Sequence, residues 1–155
     1  MINSTWPGLT KPLPPLSNVP VITVAAVANA LRMTLYIARP LLQLHQHSFV
    51  HKSLHPSTIC IHPTTGGVQF LDLASASILV KNKAEPESGL HSQQTTDWSY
   101  ASPESSGKAN RMIDSRSDLY SLGVILFRLV AGRLPFQSND FSELIHSHIA
   151  KPIPN

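Results

Sequence analysis

The stretch from Asp118 to Ala131 constrains the fold more than any other part of the chain. Between its ends the sequence LYSLGVILFRLVA is apolar nearly all round, the pattern of a helix enclosed on every side. Ser117 is placed as its N-cap, Gly132 as its C-terminal stop, and Pro135 stands just beyond. Such a helix belongs in the middle of a core, and the rest of the chain must pack around it. With 155 residues, 42% of them apolar, the chain can bury one ordinary core, enough for one domain but not two.

Residues 1–22 are rich in Pro, Ser and Thr and read as a disordered or extended leader, with the folded unit expected over 23–155. From Val24 to His45, apolar residues fall at Leu31, Leu35, Ala38 and Leu42, with Ile37, Leu41 and Leu44 beside them, the alternating steps of three and four of an amphipathic helix. Pro40 lies inside that pattern. An interior proline costs about 3 kcal/mol, so a kink or break is expected near Ile37 to Arg39. Two short β-rich runs, Thr58 to Ile61 and Val68 to Leu71, flank Gly66-Gly67 and predict a hairpin. Residues 84–99 predict a long mobile loop. A last helix is expected over Asp140 to Ala150, with Phe141, Leu144, Ile145, His148 and Ile149 on one side.

Several function classes are poorly supported. The formal charge is +3, and the basic residues are scattered, not gathered with aromatics into a nucleic-acid-binding stripe. Cys60 is the single cysteine, which excludes an intrachain disulfide and fits a reducing, cytoplasmic compartment. Val19 to Leu31 has the apolarity of a signal peptide, but five prolines interrupt residues 7–20 and the helical pattern continues past Leu31. No apolar run reaches the roughly 18 residues of a membrane span. Among the eight histidines, His45, His47, His51 and His55 straddle a helix end and a proline-containing loop, while His146 and His148 diverge on a helix. They read as solvated or capping groups instead of metal ligands. No G-x-S-x-G elbow supports a serine hydrolase, although Ser53 stands between His51 and His55.

Four segments carry a more specific signal: HKSLHPSTI (His51 to Ile59), FLDLA (Phe70 to Ala74), SPE (Ser102 to Glu104) and DLYSLGVILFRLVAGRLP (Asp118 to Pro135). In order and spacing they resemble the C-lobe of a protein kinase, and most closely the serine/threonine-kinase-like domain at the N-terminus of multi-sensor hybrid histidine kinases. The resemblance implies a mainly α fold with a short β-hairpin, a protein-kinase-like C-lobe that is incomplete, with the N-lobe and the last helices absent.

It also assigns positions. His51 matches the histidine that packs the family's catalytic loop against its metal-binding segment, and Lys52 stands for the arginine, without its bidentate fork. Ser53 stands where the catalytic aspartate should be. A serine cannot take the substrate proton at neutral pH, and such assistance is worth roughly 10²- to 10⁴-fold. His55 replaces a lysine near the γ-phosphate, and Thr58 replaces the asparagine that holds the second magnesium. Asp72 keeps the metal-binding aspartate, whereas Leu73 is expected to fill a phenylalanine's slot and Ala74 replaces a glycine. Glu104 corresponds to a glutamate paired in the family with a later arginine, so here it is expected to be exposed, protonated, or paired with a basic residue of this chain. Asp118 matches the helix aspartate that accepts hydrogen bonds from the catalytic-loop backbone, with Tyr120, Leu122 and Gly123 in the packing pattern around it.

The resemblance thus implies a degenerate, pseudokinase-type module, expected to be a fragment of a signal-transduction kinase acting as an interaction or regulatory scaffold in a two-component system. The alternative is a serine/threonine protein kinase domain that binds ATP and phosphorylates protein, its missing lobe supplied elsewhere. ATP and magnesium are expected only if activity survives. Partners are expected to be signalling proteins or the rest of a larger sensor kinase, with no nucleic acid and no membrane.

Overall fold

The computed structural model describes residues 23–78, 97–107 and 112–154. The leader and most of the loop expected over 84–99 lie outside them. The order is α1 (Val24–Gln46), β1 (Phe49–Val50), β2 (Ile59–Ile61), β3 (Val68–Phe70), β4 (Ser77–Ile78), α2 (Ser115–Ala131) and α3 (Phe141–Ala150), with 3-10 turns at Pro56–Thr58 and Pro103–Ser106. The architecture is mainly helical with a small β part.

Helix α1 begins where the Thr23 hydroxyl accepts the Ala26 N–H at 3.1 Å, a side-chain cap on an otherwise unpaired donor. It then runs unbroken through Pro40, so of the expected kink or break the break is absent. Ile37 and Leu41, buried on either side of the proline, offset its cost by packing against α2. The stripe that sets the helical period is not the covered one. Leu31, Leu35 and Leu42 are 49%, 59% and 57% exposed, and the core face is Ala30, Ile37 and Leu41, one residue round the helix.

The predicted hairpin is present: β2 and β3 pair antiparallel with Ile59 opposite Phe70 and Ile61 opposite Val68. Gly66 turns it at a φ of 69°, where only glycine is free of strain, and a Cβ there would lie 2.6 Å from the Tyr36 ring. A second antiparallel pair, β1 with β4, sets Phe49 opposite Ile78 and Val50 opposite Ser77. At two residues a strand, it has no readable alternation, and sequence periodicity missed it.

Helix α2 starts earlier than its apolar run. Its N-cap is Asp114, whose carboxylate accepts the Arg116 N–H, and not Ser117, which is buried in the first turn with its hydroxyl turned to Glu104. Gly132 closes the helix in the left-handed region as expected. Enclosure is one-sided in the first half: Leu122, Val124 and Ile125 join Ile37, Leu41, Leu54, Ile59 and Tyr100 in the core, whereas Leu119 and Gly123 face outward. Asp140 caps α3, whose Leu144 and Ile145 are buried.

Candidate functional site

Every sequence-assigned polar residue between His51 and Thr58 lies in the loop joining β1 to β2, and that loop is organised from α2. Asp118, 1% exposed, accepts the His51 N–H at Oδ2 and the Lys52 N–H at Oδ1, both at 2.8 Å. Its Oδ2 also accepts from His45 Nε2, at 2.8 Å, at the end of α1. One carboxylate therefore clasps α1, the loop and α2. A buried carboxylate needs this many donors, because an unpaired one costs several kcal/mol. Lys52 adopts φ 66°, a left-handed turn unusual for a residue with a side chain, and its N–H and that of the residue before it both reach the carboxylate.

His45 is the partner that sequence reasoning missed. Its signal was position alone: a histidine in the last turn of a helix that leads straight into the loop.

Within the loop the side chains face inward. His51 is fully buried with its ring edge-on to Phe70 of β3, centroids 5.0 Å apart, so it packs the loop against the strand preceding Asp72. The Ser53 N–H donates to His51 Nδ1 at 3.3 Å, which places the proton of the neutral ring on Nε2. That atom is buried with no acceptor among the described residues. Burial holds the imidazole below the ordinary histidine value, against an opposing pull from Asp118, so the neutral ring is favoured.

Ser53 is 3% exposed, and its hydroxyl too is buried without a partner among the described residues. The Thr58 hydroxyl faces the Ser53 and His55 carbonyls at 3.0 and 2.9 Å and accepts the His55 N–H at 3.1 Å. It serves the turn of the loop. His55 is also buried, at the N-cap of the Pro56–Thr58 turn, so of the histidines expected to be solvated or capping it takes the second role; His51 and His148 are buried and not solvated, while His47 sits exposed with Nδ1 2.8 Å from the Gln43 carbonyl.

Asp72 follows β3 and is half-buried, and its Oδ1 accepts the Ala74 N–H at 2.9 Å. Leu73 is 49% exposed, so it fills no apolar slot among the described residues, contrary to expectation. Among the described residues no three His, Cys, Asp or Glu side chains come together as a metal-binding group. Asp72 offers a carboxylate, Ser53 brings no charge, and the hydroxyl of Thr58 is held by the loop. This set does not fit the paired oxygen ligands of a nucleotide-bound magnesium.

Glu104 lies in the 3-10 turn after Ser102 and is half-buried. Its Oε1 accepts the Ser117 hydroxyl at 2.6 Å, a neutral donor where an exposed or protonated carboxyl, or one paired with a basic residue, was expected. The Tyr120 hydroxyl, bonded to His148 Nδ1 at 2.7 Å, is pushed up to about 12 by burial, with Glu104 adding to the shift. Tyr100, fully buried beside the loop, is hydrogen-bonded by Arg128 of α2.

A protein kinase domain model matches residues 22–153. The chain belongs to the protein kinase domain family. Relatives of this kinase-family chain include a hybrid signal transduction histidine kinase G of Dictyostelium discoideum, 58% identical over 60 residues, 39% of this chain and 2% of that protein. The DNA damage-responsive serine/threonine-protein kinase RqkA of Deinococcus radiodurans is 27% identical over 143 residues, 92% of this chain and 20% of that protein. The serine/threonine-protein kinase pkn2 of Myxococcus xanthus is 32% identical over 129 residues, 81% of this chain and 15% of that protein. The chain thus spans no more than 20% of the length of these relatives. Among the described residues no helix is long and apolar enough to cross a membrane.

Proposed function

We propose that this chain is the C-lobe portion of a protein-kinase-like domain and works as a pseudokinase-type module, a cytoplasmic binding or regulatory element of signal transduction. The observation that carries the reading is the buried, uncharged Ser53 in the loop clasped by Asp118. Phosphoryl transfer to a hydroxyl needs a group that orients and deprotonates the acceptor, and a serine sealed inside the loop has neither the charge nor the exposure. The hydroxyl of Thr58, engaged with loop backbone, points the same way. The identity shared with a hybrid histidine kinase supports a place in two-component signalling.

The retained Asp72, together with relatives that are serine/threonine kinases, favours the second reading, a catalytic domain that binds ATP and phosphorylates protein. Incubating the full chain with γ-labelled ATP, magnesium or manganese and a generic protein acceptor, alone and with a protein-kinase N-lobe supplied in trans, separates the two. No transfer is expected, either from the native chain or from Ser53→Asp, because Thr58 still withholds the second ligand. Transfer by the native chain that Asp72→Asn abolishes would overturn the proposal.

A further inference from the structure

Helix α1 has two apolar faces and only one is covered. Val24, Ala28, Leu31, Leu35 and Leu42 are exposed, and Ala38, half-buried because it also packs against the core, continues the row at its inner edge, in steps of four, three, four, three and four. That is the a/d spacing of a coiled-coil seam, at positions d, a, d, a, d, a. From Val24 to Leu42 it is about 27 Å long at about 1.5 Å per residue. Single exposed leucines are ordinary, whereas a continuous row in heptad register is a helix-sized docking face.

The charges beside the seam state what fits it. Arg32 and Arg39 occupy the e positions on the open side, both exposed and one heptad apart. Among the described residues neither has a carboxylate partner. The opposite flank, Thr34 and Leu41 at g, turns toward the core. A second copy is a poor occupant: antiparallel pairing sets arginines against arginines, and parallel pairing sets them against g positions that the core already holds. The preceding residues 1–22 contain no Asp or Glu to complement the charge.

We infer that the outer face of α1 docks an amphipathic helix of a partner protein that presents an apolar heptad seam flanked by glutamate or aspartate. The inference gives the scaffold reading a class of partner and rests on that reading for its purpose, not for the contact.

The test uses the full chain and two labelled helical peptides of four heptads, leucine at a and d, identical except for Glu or Lys at the flanking positions. Fluorescence anisotropy should show the Glu peptide binding about tenfold or more tighter than the Lys peptide, with affinity falling as salt rises. The double variant Arg32→Glu/Arg39→Glu should invert the preference, and Leu31→Gln/Leu35→Gln should abolish binding of both. All four positions are exposed, so the far-UV circular dichroism of these variants should match the native chain.

Equal affinity for the two peptides, binding of neither by a folded chain, or self-association that Leu31→Gln/Leu35→Gln dissolves would overturn the inference. Phosphotransfer measured alongside reports separately on the functional reading. Activity with charge-selective peptide binding intact would sink that reading alone, and loss of selectivity without activity would sink this one alone.

Discussion

Replacing Asp118 with alanine should unfold the chain more readily than any other single truncation of a polar residue described above. The carboxylate is 1% exposed and accepts from His45 Nε2, the His51 N–H and the Lys52 N–H. Truncation leaves three donors, two of them backbone, facing a small cavity that has no acceptor. Each buried donor left unsatisfied costs about 1–3 kcal/mol, and these three share one partner, so their losses are not simply additive. Breaking a buried charged pair typically costs about 3–5 kcal/mol, and about 4 kcal/mol is the expectation here. With a urea slope of about 2 kcal/mol/M, the midpoint should fall by about 2 M. Asp118→Asn keeps one acceptor oxygen but points an amide N–H at a donor, so it should recover part of the loss and not all of it. Urea unfolding followed by circular dichroism measures both. A loss below about 1 kcal/mol for Asp118→Ala would refute the clasp, since a surface-like value means that water already satisfies these donors.

Three further outcomes follow from the geometry. Ser117→Ala removes the hydroxyl donor of the half-buried Glu104 and should lower stability by about 1.5–3 kcal/mol, the range for a hydrogen bond to a charged group, read from the urea midpoint. Gly66→Ala must hold a positive φ and push the Tyr36 ring aside; a loss of at least about 1–2 kcal/mol is expected, and an unchanged melting temperature would contradict the turn. Burial holds His51 and His148 below the ordinary 6.5, so the unfolded chain binds more protons as the pH falls through that value. Stability should be full above about pH 6.5 and decline below it, levelling off once the folded-state values are passed. His148→Asn should make that decline shallower in urea titrations between about pH 7 and 5, and an unchanged slope would remove His148 from the account.

The sequence was most legible where one local rule decides the outcome. Gly132 and Asp140 carry their helix ends, and Gly66-Gly67 carries the hairpin, because capping and positive φ depend on a few adjacent residues. Asp118, named from a motif, is bonded to the loop backbone. What escaped depends on tertiary contact. Whether Leu42 or Leu41 faces the core is a rotation of one residue on α1, and a helix apolar on two faces gives no local reason to choose. Ser117 looked like a cap because the apolar run starts after it, yet Asp114, three residues earlier, binds Arg116 N–H and starts the helix. The neutral donor on Glu104 and the histidine on Asp118 join residues 13 and 73 apart, and no periodicity or capping rule links either pair.

The distance spanned by the Asp118 clasp also has a consequence in time. Lys52 and Asp118 are 66 residues apart, and closing a loop of that size has an entropic cost on the order of 4 kcal/mol. During synthesis at about 5–20 residues per second, the loop from His51 to Thr58 emerges roughly 3–13 s before the carboxylate that organises it. Until then its inward histidines and the left-handed Lys52 have nothing to hold them in place. Helix α1, whose bonds are all local, can form during that wait. The loop is thus open to wrong contacts for that whole interval, and a substitution at Asp118 would weaken the step that ends it.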